Sequence, residues 1–147
     1  MSGLKISLLA VFLMSSVAIP AFATVQPTDE QLTETAHLVV IAQVTDVDTP
    51  EAQGAVGWGQ VSIRIETVLK GESDTKTLSF SHYFSDAGKG NYSRAEWLAF
   101  WGKIRDTHAK VKFFLFNTDM DQRYADTGIK GWILADGWFG YEVLKSR

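Results

Sequence analysis

The segment Gln60–Gly71, QVSIRIETVLKG, constrains the fold more than any other part of the chain. Val61, Ile63 and Ile65 alternate with Ser62, Arg64 and Glu66. A period of two belongs to a strand with one face in a core and the other toward solvent. The alternation breaks at Thr67-Val68-Leu69, where two apolar residues are adjacent. One extra residue reverses the parity and bends a strand, so a β-bulge is expected there. Lys70-Gly71 ends the segment in a turn, because glycine tolerates positive φ. A second strand, Leu78–Phe84, follows the polar turn Glu72-Ser73-Asp74. Its even positions are Leu78, Phe80, His82 and Phe84, so parity puts His82 on the apolar face as a polar core candidate.

The other elements fall around this hairpin. Leu38–Val47 starts apolar on both faces and then alternates, as a central strand would on its way to an edge. Asp48–Gly59 carries Pro50, Gly54, Gly57 and Gly59 and reads as a loop, with Trp58 lying over the end of the fold. Ser85–Asn91, with Gly88 and Gly90, reads as another loop. Thr28 with Gln31, and Ser93 with Glu96, are capping boxes that predict two helices. The first is short and ends near His37. The second carries Trp97, Phe100, Trp101 and Ile104 on one face, with Gly102 in or after its last turn and a polar linker over 105–110. Val111–Phe116, VKFFLF, is too short for a globular helix and predicts a core strand. Asp136-Gly137 between two apolar runs predicts a type I′ hairpin that stacks Trp132–Leu134 beside Trp138, Phe139 and Tyr141.

The N-terminus has a different character. Lys5 precedes the apolar run Ile6–Val17, and Pro20 precedes Ala21-Phe22-Ala23. This is the pattern of a secretory signal peptide over residues 1–23, cleaved after Ala23, and it predicts a periplasmic or secreted protein. Residues 24–147 then form a single domain, long enough for a core without staples. No integral membrane segment is expected after cleavage. The chain has no cysteine, which excludes disulfides, thiolate zinc sites and a cysteine nucleophile. Its formal charge is −3 and it has no basic cluster, which argues against nucleic acid as a partner.

Five or six strands, with an amphipathic helix between the third and fourth, predict an all-β, OB-like Greek-key barrel with one or two short helices. ETAHLVVIAQVTDV at 34–47 and VSIRIETVLKG at 61–71, with VKFFLF at 111–116, also resemble the netrin-like domain. That domain occurs in tissue inhibitors of metalloproteinases and in bacterial exported proteins. The resemblance implies an OB-like barrel and binding to a protein. The inhibitors' mechanism needs an N-terminal cysteine held by a disulfide. Here the expected N-terminus is Thr24-Val25-Gln26, so that mechanism does not carry over.

No motif assigns a catalytic, cofactor-binding or metal-ligating residue. His37, His82 and His108 lack a metal-motif spacing, and Asp119-x-Asp121 lacks the glycine and bidentate glutamate of a calcium loop. Ser79, Ser81 and Ser85 lack a nucleophile-elbow context. The aromatics remain. Trp58, Trp132, Trp138 and Tyr141 are candidates for a ligand or partner face, with core filling as the alternative. Three functions follow: an exported, non-enzymatic binding module for a protein or envelope partner, a carbohydrate-binding domain using the C-terminal aromatics, or a small hydrolase. An exposed aromatic row would favour the second, and a cleft with converging polar groups near His82 the third.

Overall fold

A computed structural model describes residues 25–49, 56–85 and 92–146. The signal segment, its cleavage site, Pro50, Gly54 and the glycines at 88 and 90 lie outside the described residues. Six strands and two α-helices are described: α1 (Asp29–Thr35), β1 (Leu38–Asp48), β2 (Val56–Lys70), β3 (Thr77–Ser85), α2 (Arg94–Asp106), β4 (Val111–Asn117), β5 (Trp132–Leu134) and β6 (Tyr141–Val143). The strands run in the order β1-β2-β3-β5-β4, and a β1–β4 ladder closes the barrel. All pairings are antiparallel except β3–β5, which is parallel through Phe80↔Trp132 and Ser81↔Ile133. β6 is an additional strand on β4. The fold is an all-β, OB-like five-stranded barrel with two short helices.

Bulges let so small a barrel close. Opposite β1, β2 carries Glu66 and Leu69 as extra residues, and β1 carries Thr45 as one opposite β2. The β2 bulges fall where the alternation breaks, and they turn Val68 and Leu69 outward, 42% and 51% exposed. The bore is filled from alternate positions of each strand: Leu38, Val40, Ala42 and Val44 of β1, Val61 and Ile63 of β2, and Phe80 and Phe84 of β3. Trp97, Trp101 and Ile104 of α2 complete this core. Val39 and Phe114 face out of the barrel, where Leu32 and Ala36 of the α1 segment cover them. That second, smaller core explains why β1 begins apolar on both faces.

Both capping boxes form, Thr28 with Gln31 and Ser93 with Glu96. The end of α1 is held by Lys70, whose Nζ donates to the carbonyls of Thr33 (2.6 Å) and Ala36 (2.7 Å). His37 does not serve that helix end. Its Nδ1 accepts from the Asn117 amide at 2.9 Å, and its ring lies against Phe116.

Several expectations from sequence are corrected. Gly57-Trp58-Gly59 is strand rather than loop, paired with Phe84, Tyr83 and His82. Gly59 permits this, because a Cβ there would overlap the Trp97 ring. Ser85 is a buried residue of β3 rather than the start of a loop. Gly102 neither ends nor unwinds α2, which continues through Arg105 and Asp106.

The largest correction is at Asp136-Gly137. Both residues have positive φ, 55° and 60°, as a type I′ turn requires. Yet β5 and β6 do not pair with each other. Both run antiparallel along β4, Leu134 beside Leu115 and Tyr141 beside Phe113. Between them the Ala135 amide donates to the Phe114 carbonyl, and the Phe114 amide donates to the Gly140 carbonyl. The segment 132–143 is therefore one interrupted strand. Residues 136–139 loop out of it through a 3-10 turn at Gly137–Phe139. Pairing with the long neighbour β4 satisfies more backbone than a short hairpin would.

Candidate functional site

β3 and β5 are in register for only two residue pairs before they separate. A cavity of about 410 Å³ lies along this divergence. Trp58, Tyr83, Phe116, Tyr124 and Trp138 supply aromatic walls, and His82 forms part of the lining. Ser81, Thr35, Asp136 and Arg123 supply polar groups. Trp58 and Tyr83 are cross-strand partners with rings edge-on at 5.6 Å. The looped-out segment carries Trp138 back over the barrel. There its ring lies 3.9 Å from His82, 4.6 Å from Tyr92 and 5.4 Å from Phe100, and it stacks on Trp101 at 6.3 Å.

His82 is 3% exposed, on the apolar face that strand parity assigns it. The indole N–H groups of Trp97 and Trp101 both donate to its Nδ1, at 3.0 and 3.1 Å. Burial pushes its pKa down from 6.5 to about 3. The ring is therefore neutral at physiological pH, with its acceptor nitrogen occupied. Such a histidine cannot take a proton from a nucleophile such as Ser81. His82 Nε2 has no hydrogen-bond partner among the described residues. A buried donor left unpaired costs roughly 1–3 kcal/mol.

Arg123 is the cation of the cavity wall. Its Nε and Nη2 grip Asp121 Oδ2 at 3.0 and 2.6 Å, and its Nε also donates to Asp121 Oδ1. Hydrogen bonds from Arg123 hold the Asp121 carboxyl down at about 2. Asp119, the other half of the calcium-like spacing, accepts from the Gly131 amide. Among the described residues, no group of three or more His, Asp or Glu could hold a metal ion. No described helix is long and apolar enough to cross a membrane.

Of the four aromatics singled out from sequence, the fold brings Trp58 and Trp138 together at this cavity. Trp132 is half-buried against the main core and lines a different depression, with His37 and Lys70. Tyr141 packs on Phe100 and Trp101. They form no exposed row. Sequence reasoning missed Tyr83, Phe116, Arg123 and Tyr124. Tyr83 was legible as the outward neighbour of His82, whereas the other three reach the cavity only through the closure of the barrel.

Comparison with protein-family models, with curated proteins and with solved structures gives no match for this chain.

Proposed function

We propose that this chain is a non-enzymatic binding module, exported to the periplasm or secreted, that engages a protein or envelope component through the cavity beside β3. The observation that carries the reading is the cavity itself: a concave, aromatic-walled site with few polar groups, which is the form of a recognition pocket. The signal-peptide pattern supports export, and the netrin-like segments support protein binding on an OB-like barrel. The chemistry of His82 weighs against the hydrolase reading, since the acceptor nitrogen a general base would use already takes two indole N–H groups. The absence of a row formed by Trp132, Trp138 and Tyr141 removes the main support for a carbohydrate platform.

The test is a pull-down from the native envelope fraction with the wild-type chain and with Ser81→Trp, which places a bulky ring in the cavity. We expect a component that the wild type captures and the variant loses, at an unchanged melting midpoint. Equal capture by both would move binding to another surface. No specific capture from any fraction would overturn the reading.

A further inference from the structure

Two indoles converge on one side of His82. A neutral imidazole has one acceptor nitrogen and one donor nitrogen. With both indole N–H groups on Nδ1, the ring proton resides on Nε2. Nε2–H is thus a donor of known polarity, buried and unpartnered among the described residues, on a side chain that lines the cavity. The Nδ1 edge faces α2, so Nε2 lies on the ring edge turned away from that helix.

We propose that this N–H reads the ligand, and that the ligand is an uncharged aromatic group bearing a carbonyl oxygen. The inference rests on the reading of the cavity as a binding site and adds the chemistry of its occupant. A fixed donor demands an acceptor. A carboxylate would lose its hydration here against a neutral imidazole, and Arg123 is already engaged by both oxygens of Asp121. A sugar would leave many hydroxyl donors facing ring carbons. A flat ring instead stacks on the walls formed by Trp58, Tyr83 and Trp138. Nε2 is nearly closed to solvent in this conformation and the Trp138 ring lies 3.9 Å from His82, so that ring has to shift before an oxygen can reach Nε2. It is carried by the looped-out residues 136–139, between the paired positions Ala135 and Gly140. The same chemistry is found in a free aryl ketone and in an aromatic residue of a peptide with its own carbonyl.

The test uses acetophenone and α-methylstyrene, two molecules of one shape in which C=O is replaced by C=CH₂. Each is titrated into the ¹⁵N-labelled protein while the His82 Nε2–H resonance is followed. Acetophenone should shift that resonance downfield and saturate, α-methylstyrene should leave it in place, and Ser81→Trp should weaken acetophenone binding by about tenfold or more. N-acetylphenylalaninamide binding more tightly than acetophenone would identify a peptide as the source, and the reverse a free small molecule. No saturable shift with acetophenone, or an equal shift with α-methylstyrene, overturns the proposal on unmodified protein. If envelope capture is sensitive to Ser81→Trp while neither ketone nor amide moves Nε2–H, the binding module stands and this assignment of its ligand falls.

Discussion

His82 is the acceptor for two buried indole N–H groups, and its own burial has a consequence for pH. The unfolded chain takes up a proton as pH falls through 6.5, whereas the native ring stays neutral until about 3. Its contribution to stability is therefore complete above pH 6.5 and is lost progressively down to about pH 3. Between pH 7 and pH 5 the loss should be roughly 2 kcal/mol, at 1.36 kcal/mol per unit below 6.5. Denaturant melts at the two pH values measure it, and matching midpoints would contradict a buried neutral histidine. Gly59 is the second residue whose identity is set by its surroundings. It lies opposite His82 on β2, and a Cβ there would lie 2.7 Å from Trp97 Cζ2. Gly59→Ala should destabilise by roughly 1–3 kcal/mol through overpacking, seen as a lower midpoint in urea. Gly140→Ala makes a useful comparison, since its Cβ would instead meet the Ala135 backbone.

Among the elements, the interrupted strand β5–β6 carries the most consequence. Asp136 and Gly137 have the φ values of a hairpin turn, but the chain spends them on an excursion that sets Trp138 against His82. Trp138 thus belongs to the aromatic core and to the cavity wall at once. Trp138→Ala should cost roughly 3–5 kcal/mol, because it removes a ring packed against four others and leaves a void that the cavity extends. A thermal or denaturant melt of the variant checks this, and an unchanged midpoint would show that Trp138 serves binding alone. A Cβ at Gly137 meets nothing within 4 Å, so a side chain there is opposed by its positive φ and not by crowding. Helix α2 is the counterpart of this excursion. Its apolar stripe was legible as a helical face. That Trp97 and Trp101 would turn both indole N–H groups onto one imidazole was not, since the partner stands on a different element fifteen and nineteen residues away.

At the scale of the molecule, the sequence by itself determined the pieces and their inward faces. The period of two in β2 and β3, the two capping boxes and the stripe of α2 are local patterns. Each follows from the geometry of a single strand or helix, so each survives into the fold almost unchanged. The burial of His82 belongs here, since parity along one strand decides it. The bulge in β2 belongs here too, because a lost parity is visible without a partner strand. The tertiary structure alone decided what those faces meet. Whether Asp136-Gly137 makes a hairpin or an excursion depends on β4, which offers a longer line of backbone partners than either short strand offers the other. Whether Trp58 is loop or strand depends on Tyr83 across the ladder and on a glycine thin enough to pass Trp97. The cavity exists because a parallel pairing two residues long lets β3 and β5 diverge, and barrel closure then draws Phe116, Arg123 and Tyr124 to the opening. Contacts between elements far apart in the chain have no period, and a closed barrel builds its binding surface from them.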